Sequence, residues 1–157
     1  MTTSTPVRMP GTPKPWMNAL MSTMLGLPGL RRVLGRMFAV ITVTGAKSGK
    51  QYTTPVQYMR LDGDYVVLSQ RHRVWWRNLR TRPEVTLTVG GETISGRGRV
   101  PDGDEAHDVL SACLSANPRV AKFYSIDPAG GGPIAPADIE RLSERVVPIV
   151  ITPANSP

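Results

Sequence analysis

The two-residue turn signal Asp62-Gly63 constrains the fold of this chain more than any other feature. YTTPVQYMRL precedes the turn and DYVVLS follows it, and both runs have the β-branched and aromatic composition of strands. An Asp-Gly pair between two such runs predicts a hairpin. A second hairpin is predicted where VTLTV and ETISGRGRV meet at Gly90-Gly91. Neighbouring stretches of the chain should therefore pair with each other as antiparallel strands.

Two further runs, AVITVT after Phe38 and VVPIVIT near the C-terminus, bring the expected strands to about six. Pro55 lies inside the second run, which predicts an edge position or a bulge there. Gly96-Arg97-Gly98 predicts a bend or bulge within a later strand. Six mainly antiparallel strands with short helices indicate an α+β fold built on a small closed or half-open β-barrel.

Four short segments have helical patterns. VWWRNLRT should form about two turns that end at Arg82-Pro83. DGDEAHDVLSACLSAN should begin at Asp102 or Asp104, either of which is a suitable N-cap residue. PRVAKFYSI and PADIERLSE complete the set.

The domain organisation predicted from these patterns has three parts. Residues 1–14 are rich in Thr and Pro and should form a flexible leader. Residues 15–37 form an amphipathic helical segment with apolar residues at spacings of three and four. That segment either lies on a membrane surface or covers the open end of the domain, and both readings stay open. Residues 38–153 make the barrel domain.

The charge balance calls for an anionic partner, because the 157-residue chain carries a formal net charge of +7. Nucleic acid, a phosphorylated cofactor and acidic lipid all qualify. Nucleic acid is disfavoured because the basic residues cluster in one hairpin loop and one short helix. A single cysteine, Cys113, predicts a reducing compartment and a buried packing role. Without a secretory signal or a long apolar run, the expected location is the cytoplasm.

Several kinds of site are excluded by spacing. The chain lacks the second cysteine and the paired histidines of a zinc site, so no metal is expected. The glycines of Gly45 to Gly49 do not have the spacing of a P-loop, and no G-x-G-x-x-G opens a helix after a strand.

The remaining candidate site comprises a Gly- and Lys-rich loop and the Trp-rich helix. The loop, GAKSGK, offers exposed amides, two ammonium groups and a hydroxyl to an anion, or is an ordinary turn with solvated lysines. On the helix, Trp75 and Asn78 share one face and Trp76 lies on another, so one indole should belong to the core. Asn78 should point to a ligand or stand on the helix surface.

TGAKSGKQYTTPV, DGDYVVLS and WWRNLRTRPEV follow one another in an order that resembles the deazaflavin-dependent nitroreductase family. These are actinobacterial split β-barrel flavin and deazaflavin oxidoreductases, and the similarity covers roughly Val40 to Val89. The resemblance implies that the chain binds coenzyme F-420, with FMN as the alternative. It implies hydride transfer to a small apolar or aromatic acceptor such as a quinone, an enone or a nitro compound. It also implies a homodimer, since split barrels are often dimeric through the sheet.

The same resemblance assigns roles to individual positions. The loop that meets the phosphate and oligoglutamate tail corresponds to Lys47, Ser48, Gly49 and Lys50. The strands along the tricyclic ring correspond to Thr53, Thr54, Pro55, Ser69, Gln70 and Arg71. The helix that closes the groove corresponds to Trp75, Trp76, Arg77 and Asn78.

Two departures from the family pattern affect these assignments. Tyr52 stands where relatives commonly carry an arginine, which removes a phosphate-binding guanidinium unless Arg71, Arg73 or Arg77 replaces it. The loop from Gln70 to Val74 is also shorter than the family's, which changes access to the ring. Because some relatives bind fatty acids, a lipid- or cofactor-binding protein without catalysis is the alternative reading.

Hydride transfer leaves a product that needs a proton, and two side chains are candidate donors. His72 has the side chain whose ordinary pKa suits proton transfer near neutrality, and its alternative role is that of a solvated loop residue. Tyr124 lies in the half of the chain where the family's substrate-side tyrosines occur, and its alternative role is core packing.

Overall fold

The computed structural model describes residues 38–127 and 132–155, so the predicted segments 1–14 and 15–37 lie outside the described residues. The described part contains six β-strands: β1 (Phe38–Thr44), β2 (Gln51–Leu61), β3 (Asp64–Gln70), β4 (Glu84–Val89), β5 (Glu92–Arg99) and β6 (Val146–Pro153). It also contains a 3₁₀ helix (Trp75–Arg80) and three α-helices: α1 (Gly103–Ala116), α2 (Pro118–Phe123) and α3 (Pro136–Ser143). The helices span the four segments in which the sequence predicts them.

The six strands form a closed antiparallel barrel in the order β1-β2-β3-β6-β5-β4, and β4 pairs with β1 to close it. The α+β barrel prediction is therefore confirmed. Both hairpin predictions are confirmed as well: Asp62 and Gly63 have φ of 50° and 88°, and Gly90 and Gly91 have φ of 58° and 90°. Two consecutive positive φ angles are the geometry of the turn that matches the twist of antiparallel strands.

Apolar side chains on alternate strand positions fill the barrel interior. In β1 the residues at positions 39, 41 and 43 are buried, whereas those between them are half-buried. Ile41, Leu87 and Ile149 are completely inaccessible to solvent and belong to one continuous cluster. The 3₁₀ helix adds Trp75, Trp76 and Leu79 to the same cluster, so its buried face is part of the barrel core.

A second apolar layer lies outside the barrel, where α1 and α3 cover β6 and neighbouring strands. Leu110 of α1 and Leu142 of α3 cluster with Val146 at the start of β6. Cys113 of α1 clusters with Val150 of β6 and is completely buried, which confirms its packing role. Burial raises the pKa of its thiol to about 11, because the thiolate would lose its hydration there.

The bulge considered at Gly96-Arg97-Gly98 is absent. Gly96 pairs with β4 and with β6, and Gly98 pairs with β6, without an interruption in either register. A Cβ atom on Gly96 would lie 2.6 Å from the Thr152 carbonyl oxygen, so the glycine is required by the close approach of β6. At the start of α1, Asp102 occupies the N-cap position, as predicted, although its side chain makes no capping hydrogen bond. Its carboxylate is paired with Arg80 instead, at 2.9 Å.

Within residues 38–127 and 132–155, no helix has both the length and the apolar character needed to cross a membrane.

Candidate functional site

The barrel opens between β2 and β3. In the described residues, the ladder between these strands runs only from Tyr58–Leu61 to Asp64–Val67. Beyond it, the first part of β2 pairs with β1 alone, and the end of β3 pairs with β6 alone. Two strand edges with free backbone groups therefore face each other across a split. Pro55 lies on one of these edges, where its missing N–H costs no ladder bond, as the sequence predicts for an edge position.

The predicted ring-binding residues lie on the two edges of this split. Thr54 is 9% exposed and faces inward, whereas Thr53 is exposed and its hydroxyl lies 3.1 Å from that of Thr42 on β1. Ser69, on the opposite edge, is buried, and Gln70 beside it is exposed. The split therefore presents backbone groups and small polar side chains from both strands.

The loop between β1 and β2 lies at the same end of the barrel as the split. β1 and β3 both run toward this end, so the loop and the segment after β3 meet there. The Gly45 N–H donates to the Lys50 carbonyl at 2.7 Å, and the Gly49 N–H donates to the Gly45 carbonyl at 3.0 Å. With its backbone closed in this way, the loop exposes Lys47, Ser48 and Lys50 to solvent.

Asn78 attaches the loop to the 3₁₀ helix. Its Oδ1 accepts a hydrogen bond from the Ala46 N–H at 3.0 Å, and its Nδ2 donates to the Trp75 carbonyl at 3.0 Å. Both halves of the half-buried amide are thereby used within the protein. The expectation of an amide free on the helix surface was therefore wrong, and Asn78 positions the loop. Its contact with a ligand stays a prediction.

Tyr52 supports the same loop from the β2 side. Its hydroxyl lies 3.2 Å from the Ser48 Oγ, which also accepts a hydrogen bond from the Lys50 N–H at 3.2 Å. A Cβ atom on Gly45 would lie 2.7 Å from the Tyr52 ring, so the ring packs directly on the start of the loop. The sequence analysis considered Tyr52 only as the replacement of a family arginine and missed this contact. The spacing of four residues between Ser48 and Tyr52 was the available signal.

Both indoles of the Trp-rich helix are buried, with Trp75 7% and Trp76 4% exposed. The expectation that only one of them belongs to the core was therefore wrong. A 3₁₀ helix has three residues per turn, and this one is inserted into the end of the barrel, so adjacent positions both reach the interior. The Arg77 guanidinium stays exposed, 5.4 Å from the centre of the Trp76 ring.

Arg71 points away from the split. Its guanidinium donates to the Ser143 carbonyl through Nε at 3.2 Å and Nη2 at 2.7 Å, and its backbone N–H donates to the Arg145 carbonyl. The side chain thus joins the end of β3 to the end of α3. Among the arginines named as replacements for the missing family guanidinium, Arg73 is half-buried and Arg77 is exposed.

The two candidate proton donors differ in environment. His72 is exposed in the segment after β3. Tyr124 is half-buried at the end of α2, where its ring meets Phe123 edge-on at 5.1 Å. Burial raises the pKa of the Tyr124 phenol, and the nearby Arg145 charge offsets part of that effect. The raised pKa therefore keeps the phenol protonated at physiological pH.

A family model described as F420H(2)-dependent quinone reductase matches residues 22–125. The chain belongs to this family. It is therefore an oxidoreductase, and the cofactor of the family is coenzyme F-420, whose reduced form is F420H(2). The match includes the β1–β2 loop, the split and the Trp-rich helix.

Solved structures share the fold at low identity. An F420-H2 dependent reductase, FDR-A, is 22% identical with a TM-score of 0.50, over 74% of this chain and 93% of its own. A structure described as a domain-swapped dimer is 22% identical with a TM-score of 0.52, over 89% of this chain and 98% of its own. A pyridoxamine 5'-phosphate oxidase-related, FMN binding protein from Nostoc punctiforme is 10% identical with a TM-score of 0.53, over 90% and 82%. These structures show that the barrel is of the split type.

Proposed function

We propose that this family member passes a hydride from reduced coenzyme F-420 to an electron-poor small molecule such as a quinone, an enone or a nitro compound. The observation that carries the proposal is the split between β2 and β3 with a cationic loop at its end. Such a site combines two strand edges for a flat ring with positive charge for an anionic tail. The coenzyme supplies the hydride, and the protein supplies binding, orientation and exclusion of water.

The residues around the split fit the chemistry of this coenzyme. The ammonium groups of Lys47 and Lys50 extend into solvent, where they can pair with phosphate and carboxylate groups. Gly49 has a φ of +69°, and the space where its Cβ would lie is open, so a ligand can approach the loop backbone. The edge of β2 at Thr53 to Pro55 and the edge of β3 at Ser69 and Gln70 would line the ring.

Titration of the purified apoprotein with coenzyme F-420 tests binding directly, with tryptophan and coenzyme fluorescence as the readout. We expect saturation in the micromolar range or tighter, about −8 kcal/mol. Lys50→Ala should weaken binding by about tenfold, because a charge-assisted contact to the tail is lost. Asn78→Ala should weaken it by a similar factor, because the loop loses its attachment to the 3₁₀ helix.

Lys122→Ala is the matched control, since Lys122 is an exposed lysine on α2, away from the loop. Equal affinity of wild type, Lys50→Ala and Lys122→Ala would show that the loop does not hold the tail. A parallel titration with FMN tests the alternative cofactor, which would be favoured if FMN bound more tightly than coenzyme F-420.

Tyr124 is the donor that we propose for the proton of the reduced product. Its phenol is neutral and lies near Arg145, whose carbonyl bonds to the residue after the split, Arg71. Tyr124→Phe keeps the ring and its packing, so coenzyme affinity should stay within about twofold while the rate of product formation falls about 100-fold. If His72→Gln lowers the rate and Tyr124→Phe does not, the exposed imidazole is the donor instead.

A homodimer is part of the same proposal, supported by the similar structure described as a domain-swapped dimer. Sedimentation velocity of the full chain over a range of concentrations measures the assembly state. A single species with the mass of one chain at every concentration would exclude a stable dimer.

A further inference from the structure

A second polar cleft lies at the same end of the barrel but on the other side of β3. It has a volume of about 140 Å³ and is bounded by the 3₁₀ helix, the start of α1, the end of α3 and the start of β6. The split opens on the β2 side of β3, whereas this cleft opens on the β6 side. Arg71 and Trp76, which the family resemblance assigned to the coenzyme, line this cleft, whereas the loop and the strand edges proposed to hold the coenzyme do not.

The side chains that line the cleft carry an excess of positive charge. Arg71 and Arg80 contribute two guanidinium groups and His107 contributes an imidazole, against one carboxylate from Asp102. Arginine side chains that converge on a small cavity are suited to phosphate and carboxylate, because the guanidinium donors match the geometry of these oxyanions.

Internal hydrogen bonds hold these donors in place. Ser143 accepts both Arg71 contacts through its carbonyl, and its hydroxyl donates to the Glu140 carbonyl at 2.6 Å. The His107 Nε2 lies 3.2 Å from the same hydroxyl oxygen. Since the Ser143 proton is committed to Glu140, His107 donates to Ser143 through Nε2–H. One serine at the end of α3 therefore orients both Arg71 and His107 at the cleft.

Backbone donors also border the cleft. The first turn of α1 begins there, and its N–H groups receive no cap from Asp102. The unsatisfied amides of a helix start favour an anion. The buried Trp76 ring, 4% exposed, forms part of the cleft wall.

Asp102 is the acceptor that now occupies Arg80. Its carboxylate lies 2.9 Å from the Arg80 Nη2, and the two side chains are 72% and 52% exposed. An exposed pair of this kind contributes little to stability, so an external anion can compete for Arg80 at low cost.

We propose that this cleft is a binding site for a small oxyanion, a phosphate or a carboxylate, and that Asp102 is the internal group that the anion displaces from Arg80. The proposal does not depend on the coenzyme, since anion binding to the cleft is measured in the apoprotein. The anion is either free in solution or a pendant group of a larger ligand, and the two sources are separated by the choice of probe.

Proton NMR of the two histidine rings measures occupancy. The chain contains only His72 and His107, so the exposed His72 serves as an internal reference. The apoprotein is titrated at constant pH and ionic strength with inorganic phosphate, and separately with the dipeptide γ-glutamyl-glutamate. Saturable movement of the His107 signals with a stationary His72 supports the site. Tighter saturation by phosphate identifies a free anion as the ligand, and tighter saturation by the dipeptide identifies a pendant carboxylate.

Substitutions of Arg80 and Asp102 should change the affinity for the anion in opposite directions. Arg80→Gln should weaken binding about tenfold, whereas Asp102→Asn should strengthen it about threefold because Arg80 is no longer occupied. Arg97→Gln is the matched control, since it breaks the exposed Arg97–Glu84 pair away from the cleft. The proposal is overturned if neither anion moves His107 saturably in wild type and in Asp102→Asn, or if binding is the same in Arg80→Gln and Arg97→Gln.

Discussion

Strands β1 and β6 belong to the same barrel but differ in what covers their outer faces. In β1, buried and half-buried residues alternate, and Thr42 and Thr44 lie on the half-buried face. In β6, the first six residues are all buried, because the barrel core covers one face and the layer of α1 and α3 covers the other. The apolar pattern of a strand therefore indicates how many of its faces are covered by other parts of the protein.

The largest expected effect compares the two outer faces by removing apolar groups from each. Leu110→Ala deletes a fully buried side chain from the layer over β6 and should lower the free energy of unfolding by about 2–5 kcal/mol. Val40→Ala, on the outer face of β1, should cost about 1 kcal/mol or less, since Val40 is half-buried. Urea unfolding measures both variants. Equal losses would mean that the two faces are covered to the same extent.

A smaller effect is expected where β5 meets the covered strand. Gly96→Ala should destabilise the protein by about 1–3 kcal/mol, because the new methyl group would lie 2.6 Å from the Thr152 carbonyl oxygen on β6. Gly98→Ala is the matched control, since its methyl group would meet the flexible end of Leu79 at 3.0 Å. Thermal unfolding of the two variants should show the lower midpoint for Gly96→Ala, and the reverse order would refute the assigned close contact.

The covered face should also make stability depend on alkaline pH. The pKa of Cys113 is raised from 9.0 to about 11, so the folded state favours the neutral thiol. This contribution is fully present below about pH 9 and is lost as pH rises through about 11, at a total cost of about 3 kcal/mol. Urea unfolding at pH 8 and pH 10.5 measures the loss. Cys113→Ala should show a shallower decline in stability with pH, because the buried thiol is gone. Some decline should remain, since tyrosines also titrate in this range. A decline identical to that of the wild type would contradict the prediction.

The smallest effect is expected from an ion pair on the β4–β5 hairpin. Glu84 and Arg97 face each other across the two strands, and each side chain is 69% exposed. Glu84→Gln should change the free energy of unfolding by less than about 0.5 kcal/mol, since water and salt screen an exposed pair. A loss above 1 kcal/mol in urea unfolding would show that this surface is more shielded than its exposure indicates.

Local chemistry explains which parts of the fold could be predicted. Asp62-Gly63 and Gly90-Gly91 specify their hairpins because both residues of each turn need positive φ. Pro55 specifies an edge because it lacks an N–H. Gly96 was misread, because the reason for a glycine there is the Thr152 carbonyl on a strand more than fifty residues later. A contact between distant segments leaves no signature in the adjacent sequence.

The candidate site likewise has features that the sequence predicted and features that it did not. The sequence places Lys47, Ser48 and Lys50 on a loop between two strands, and the structure exposes them there. The sequence did not reveal that Asn78 holds this loop or that Tyr52 supports it. Both contacts depend on how the 3₁₀ helix and β2 approach the loop. The assignment of these residues to the coenzyme stays a prediction for the titration to test.

By itself, the sequence determined the strands, their hairpins, the short helices and the family, because each depends on residue types within short stretches of chain. Only the tertiary structure decided that both indoles are buried, that Asn78 and Tyr52 hold the loop, and that Asp102 pairs with Arg80 instead of capping α1. Closing the barrel brings segments from distant parts of the chain to one end. The partners that a side chain finds there depend on position in space, which local sequence does not encode.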